Sequence, residues 1–209
     1  MQDATKRTAR ARMARLDDAP QLQRIYAPYV EDPDLVVSFE TVAPDAREFE
    51  RRIRSVSPEF PYLVCEEDGE ILGYAYAHRC FERAAYRWCA ETTVYVSRNA
   101  RGRGVGTALY GALIELLATL GYRNLYAVVV SENVESCRFH ENSGFRLIGV
   151  FERSGWKFGR WLDVSWYERS LNSFEDAPSE PLSIQALPME TIDAALRRAD
   201  GVLSSFQRR

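Results

Sequence analysis

Two hydrophobic periods organise the chain, and they meet at its middle. Leu109, Ala112, Leu113, Leu116, Leu117 and Leu120 recur at i, i+3, i+4, i+7, i+8 and i+11, the spacing of one apolar helix face, and Gly121 ends the run. Ahead of that helix, Glu91 to Ser97 (ETTVYVS) is rich in β-branched and aromatic residues, as strands are. Behind it, Asn124 to Val130 (NLYAVVV) is apolar almost without interruption, as a buried strand is. Strand, helix and strand in this order predict a parallel pair joined by a right-handed crossover.

The same reading extends to both sides. A short strand near Ala11 to Leu16 precedes a helix from about Ala19 to Val30 with Leu22, Ile25, Tyr26 and Tyr29 on its apolar face. Asp17 or Asp18 is placed to cap that helix, with Pro20 in its first turn. Pro33 to Pro44 is apolar but interrupted, and Phe39 within it suits either the core or a ligand-facing wall. Asp45 to Ser55 reads as a charged helix with Phe49 and Ile53 as its buried edge. Tyr62 to Glu66 and Glu70 to Ala77 flank Asp68-Gly69, a hairpin signal, and a loop from His78 to Arg87 leads into the Glu91 strand. A helix from about Asn133 to Ser143, capped by Asn133 and closed by Gly144, precedes two strands near Phe145 to Arg153 and Trp161 to Leu171.

These elements predict an α+β (mixed α/β) domain over residues 11–171, with helices around a mixed sheet. Residues 1–10, polar and basic, read as a disordered lead-in, and residues 172–187, rich in proline and serine, as a linker. Residues 188–209 carry a stripe of their own (Ile192, Ala195, Leu196, Ala199, Val202 and Leu203), a helical appendage that docks either on the domain or on a partner.

Composition narrows the partners. A chain of 209 residues, 46% hydrophobic, is long enough to bury a full core. Its formal charge of -3 argues against nucleic-acid binding, so an anionic ligand must be met locally. An uninterrupted apolar run of about 18 residues is missing, and the basic N-terminus leads into no signal-peptide core, which predicts a soluble cytoplasmic protein with no membrane partner. Cys65, Cys80, Cys89 and Cys137 form no C-x-x-C pair and read as reduced and structural, with no metal expected.

Local charge is found at Arg101 to Thr107 (RGRGVGT), between the strand and the long helix. Gly102, Gly104 and Gly106 let backbone N–H groups converge, and the helix start behind them adds partial positive charge. The loop therefore reads as an anion cradle, with a plain strand-to-helix turn as the alternative. It lacks the Gly-Lys-Ser/Thr ending of a P-loop and fails the G-x-G-x-x-G spacing of dinucleotide sites.

The order of elements, Arg101, Gly104 and Gly106 as Arg-x-x-Gly-x-Gly, and Asn133 followed by Gly144-Phe145 resemble the GCN5-related N-acetyltransferases (GNAT). Ala75-Tyr76, Arg83, Tyr86, Glu91 to Ser97 and Arg138-Phe139-His140-Glu141 are similar to the phosphinothricin and methionine sulfone/sulfoximine acetyltransferase branch, over about residues 12–171. The resemblance implies the GNAT fold, a twisted, mostly antiparallel sheet with a splayed parallel strand pair whose first strand carries a bulge. It implies an acyltransferase with acetyl-CoA as co-substrate, a small-molecule amine as acceptor, and a homodimer.

On that resemblance the backbone of Arg101, Gly102, Arg103, Gly104, Val105, Gly106 and Thr107 holds the pyrophosphate, and Arg98, Arg101 and Arg103 add charge. The pantetheine arm runs along Val94, Tyr95 and Val96 in the splayed gap, and Asn133 bonds it, caps its helix, or does both. Glu91 is the expected base, acting directly or through water, and His140 accepts a proton from the amine or donates one to sulfur. Phe39, Tyr76, Arg83 and Tyr86 line the acceptor pocket, Arg83 pairing with a substrate carboxylate. Two alternatives stay open: another amine, such as a polyamine or a protein N-terminus, and a non-catalytic CoA-binding module whose C-terminal helix engages a partner.

Overall fold

In a computed structural model that describes residues 8–35, 37–174 and 177–208, seven strands form one sheet. They are β1 (Arg10–Met13), β2 (Tyr62–Glu67), β3 (Glu70–Arg79), β4 (Cys89–Val96), β5 (Asn124–Val130), β6 (Arg146–Lys157) and β7 (Arg160–Ser170), in spatial order β1-β2-β3-β4-β5-β7-β6. All neighbours are antiparallel except β4 and β5. The helices are α1 (Ala19–Glu31), α2 (Ala46–Val56), α3 (Val105–Thr119), α4 (Val134–Asn142) and α5 (Met189–Phe206). The lead-in expected over residues 1–10 lies outside the described residues as far as residue 7, and Arg10 already belongs to β1.

Strand alternation sends side chains to opposite faces, and each face has its own core. Tyr62, Val64, Ile71 and Tyr74 pack against α1 and α2, whereas Leu63, Cys65, Leu72, Ala75, Leu125 and Ala127 pack against α3 and α5. The β2–β3 turn has both central residues at positive φ, Asp68 at 53° and Gly69 at 82°, as a tight hairpin requires.

Several expectations change in detail. Asp18 sits at the start of α1 without capping it, because its carboxylate turns back to accept from Arg12 (2.7 and 2.8 Å) and from the Arg15 N–H (2.7 Å). Asp45 does cap α2, accepting from the Glu48 N–H at 2.8 Å. β3 extends to Arg79, and Ala84–Tyr86 coil into one 3₁₀ turn, so the His78 to Arg87 segment is partly ordered secondary structure. The stripe on α5 packs into the same core as α3, with Ile192, Ala195, Ala199 and Leu203 buried. It is therefore not available to a partner.

The parallel pair matters most for function. Registered pairing of β4 with β5 covers only Cys89↔Asn124, Ala90↔Leu125 and Glu91↔Tyr126. Beyond Glu91 the strands part. At the fork, Tyr110 O–H donates to Thr92 Oγ1 (2.7 Å) and Thr92 donates to the Tyr126 carbonyl (3.1 Å), so a side chain takes the place of a ladder bond. The expected bulge in β4 is absent from its pairing with β3, which runs in unbroken register from Gly73↔Val96 to Arg79↔Ala90. The split arises on the β5 side alone.

Candidate active site

The head of the fork is the glycine loop. Gly102 and Gly104 have φ of 74° and 79°, a left-handed backbone that turns the N–H groups ahead of α3 toward one another. α3 starts at Val105, so its partial positive charge lies directly behind them. A cavity of about 300 Å³ opens in front, lined by Gly102, Gly104, Gly106 and Thr107 at one end and by Val94, Val96 and Phe139 along its wall.

The loop arginines are each engaged by an acid. Arg98 pairs with Asp32, and Arg101 lies 3.6 Å from Glu135 and donates to Tyr29 Oη at 3.1 Å. Arg103 donates to Glu67 at 2.6 Å and does not line the cavity, so its place in the anion site is not supported by side-chain geometry. Arg101 alone of the three faces the cavity. Tyr29, read only as an apolar position, also donates to the Val96 carbonyl at 2.5 Å and so ties α1 to β4 and to the loop.

Along the fork, backbone groups of alternate residues point to opposite neighbours. Ser97 N–H donates to Leu72, toward β3, while the Val96 carbonyl receives Tyr29 from the other side. Val94 and Val96 thus direct their backbone groups into the gap, and Tyr95 directs its own to β3. Asn133 accepts from the Ser136 N–H at 3.1 Å, the capping use, and it also lines the gap.

At the inner end a cavity of about 140 Å³ brings together Glu91, Thr93, Val94, Val130, Ser136 and His140. Glu91 and His140, distant in sequence, share this one space. Burial holds the Glu91 carboxyl above its ordinary range, opposed by His78, whose Nε2 lies 3.8 Å from Glu91 Oε1. His78 is the residue directly opposite Glu91 in the β3–β4 register, and sequence reading missed it because an irregular segment joins the two strands and hides their alignment.

His140 is buried, and its Nδ1 lies 2.7 Å from the Ser136 carbonyl, which can only accept. Nδ1 therefore carries the hydrogen, and Nε2 keeps a lone pair in the neutral ring. Burial lowers the His140 pKa, opposed by the Ser136 bond. The ring is fixed edge-on to Tyr110 at 5.5 Å and stacked on Tyr167 at 6.0 Å.

The expected acceptor residues are not gathered in this way. Tyr76 stacks on Tyr62 at 4.7 Å and shares a strand face with His78, two residues on. Tyr86 packs on Phe81 at 4.7 Å, and Phe81 reaches Tyr126, the β5 residue opposite Glu91, at 6.2 Å. Arg83 is exposed at the start of the 3₁₀ turn. Phe39 lies over Gly155 of β6, so close that a Cβ there would sit 2.7 Å from Phe39 Cζ. None of the four lines the cavity that holds Glu91 and His140.

Comparison with known proteins bears on this geometry. A model of the acetyltransferase (GNAT) domain matches residues 11–166. The chain belongs to the GNAT acetyltransferase family. Its GNAT domain is similar to the phosphinothricin N-acetyltransferase of Alcaligenes faecalis, at 42% identity over 164 residues, 78% of this chain and 82% of that protein. The L-methionine sulfoximine/L-methionine sulfone acetyltransferase of Pseudomonas paraeruginosa is 38% identical over 122 residues, 57% of this chain and 70% of that one. A crystal structure of a phosphinothricin acetyltransferase from Sinorhizobium meliloti in complex with acetyl-CoA matches with a TM-score of 0.78 at 33% identity, covering 86% of this chain and 98% of that one. In the GNAT domain of this chain, the backbone donors at the α3 start suit the phosphates of such a ligand, and the Val94, Val96 and Phe139 wall suits its arm.

Proposed function

We propose that this chain is an acetyl-CoA-dependent N-acetyltransferase acting on the amino group of a small amino acid analogue of the phosphinothricin, methionine sulfone or methionine sulfoximine type. One observation carries the reading: the β4–β5 fork has an anion cradle at its head and Glu91 and His140 together at its inner end. The acceptor class is supported by the names of the relatives above. Acetyl-CoA supplies the activated acetyl group.

The chain's own groups do the rest. The loop backbone and Arg101 hold the phosphates, and Val94 and Val96 offer backbone bonds to the arm. Glu91 takes a proton from the ammonium or the attacking amine, and its raised pKa brings it closer to neutral pH, where a base works best. The amine nitrogen bonds to the carbonyl carbon, the carbon–sulfur bond breaks, and the thiolate takes up a proton. The Val94 N–H polarises the carbonyl. His140, neutral and with Nε2 open, is the second proton acceptor and, once charged, the donor to sulfur.

Phe39, Tyr76, Arg83 and Tyr86 bound the acceptor on this reading, with Arg83 reaching its carboxylate. The protein works in the cytoplasm and as a homodimer, and the dimer is supported by the paired Trp156 and Trp161 rings on the β6–β7 hairpin, 5.4 Å apart and 58% and 57% exposed. Purified protein supplied with acetyl-CoA and a panel of phosphinothricin, methionine sulfoximine, a polyamine and a peptide N-terminus should give an N-acetyl product and equimolar CoA with the first two. Preference for the polyamine or the peptide would overturn the acceptor class, and no turnover on any amine would overturn the enzyme.

A further inference from the structure

The matched domain ends at residue 166, yet helix α5, which begins at Met189, reaches the donor loop. Its position is fixed at several points. Arg198 Nε donates to Glu115 on α3 at 2.8 Å, and Asp200 Oδ1 accepts the Ala11 N–H of edge strand β1 at 2.6 Å. Gln207 lies 3.5 Å from Glu67 Oε1, the same oxygen that holds Arg103 of the loop at 2.6 Å. At the last turn the Phe206 ring lies over Gly104, where a Cβ would fall 2.6 Å from its Cγ and 2.9 Å from its Cε2. Phe206, 37% exposed, lines the same cavity as Gly102, Gly104, Gly106 and Phe139.

We propose that α5 completes the donor site and that the Phe206 ring is an apolar wall against the CoA moiety, making retention of acetyl-CoA depend on the C-terminal helix. This rests on the acetyl-CoA reading above. An anion cradle open to water on all sides is weakened by solvent, and an aromatic ring on one side excludes water where N–H groups meet phosphate. It also offers apolar surface to cover when the ligand arrives. The absence of a Cβ at Gly104 is what admits the ring so close to the loop.

The test is calorimetric binding of CoA and acetyl-CoA to the full-length chain, its F206A variant and its F206L variant, with thermal melts of each without ligand. F206A should bind both ligands about tenfold more weakly, and F206L, which keeps an apolar wall, should lie between F206A and wild type. If wild type binds neither ligand, the acetyl-CoA reading fails, whatever the variants do. If wild type binds and F206A binds equally well, the wall is overturned while the acetyl-CoA reading stands. Tighter binding by F206A would show a ring that obstructs the cradle, which also overturns the proposal. Should F206A melt early, F206L decides. Native melting with intermediate affinity supports the wall, and native affinity in both variants leaves Phe206 a packing residue only.

Discussion

Gly104→Ala perturbs the donor loop where its backbone meets the C-terminal helix, and two costs can be separated there. At a φ of 79°, an L residue occupies left-handed backbone, which costs about 1–2 kcal/mol. The new methyl would also fall 2.6 Å from Phe206 Cγ, and moving the ring out of its packing adds about 1 kcal/mol. A total loss of about 2–3 kcal/mol lowers the melting temperature by about 4–12 °C for a domain of this size. Misaiming a single N–H from its phosphate should weaken acetyl-CoA binding by at least about tenfold. The assay is a double-mutant cycle with F206A, read by chemical denaturation and by calorimetry. Removing the ring relieves the steric share and not the backbone share, so G104A in the F206A background should cost about 1 kcal/mol less in stability than in wild type. If G104A alone changes stability by less than about 0.5 kcal/mol, or if the two substitutions are additive, neither the strained loop nor the contact with α5 is as described.

Further outcomes concern Glu91 and His140 at the inner end of the fork, and Arg83 outside it. Glu91→Gln should lower kcat by about 10²–10³ with acetyl-CoA affinity unchanged. Because the folded carboxyl titrates above its ordinary 4.5, ionising it disfavours the fold, so the variant should be more stable than wild type at pH 7, with the gain shrinking as pH falls toward 4.5. The His140 pKa lies below its ordinary 6.5, so the folded protein binds fewer protons than the unfolded chain, and wild type should lose stability as pH drops below 6.5. His140→Gln should flatten that decline in melting curves from pH 7 to pH 5, and an unchanged slope would contradict the buried neutral ring. Arg83→Ala should raise KM for a carboxylate-bearing acceptor by about tenfold or more and leave KM for an acceptor amide alone, and equal effects on both would remove the carboxylate contact.

Much of the architecture was legible because its signals are local. The period of Leu109 to Leu120, the Asp68-Gly69 turn and the Asn133 cap each fix a backbone conformation within a few residues. The donor loop was legible for the same reason, since alternate glycines and a helix start are contiguous in the chain. What escaped depends on residues brought together by the sheet. Asp18 looked like a cap, and Arg12 from β1 captured its carboxylate. Arg103 looked like a phosphate ligand, and Glu67 from the β2–β3 hairpin holds it. His78 becomes a neighbour of Glu91 only through the β3–β4 register, and Phe206 becomes part of the donor cavity only because α5 folds back along α3. Of the acceptor residues, Phe39, Arg83 and Tyr86 lie in irregular segments or a single 3₁₀ turn, where no local periodicity dictates which side chains converge, and only Tyr76 is on an interior strand, β3.

The central claim is that the β4–β5 fork seats acetyl-CoA with its thioester between Glu91 and His140. A crystal structure of the full-length chain with acetyl-CoA and methionine sulfoximine tests it most directly. The account predicts phosphates on the backbone N–H groups of residues 102–107, the arm bonded to Val94 and Val96 within the gap, and the acceptor amine on the Glu91 side of the acetyl group. An arm that leaves the gap unfilled, or an acetyl group remote from both Glu91 and His140, would contradict it.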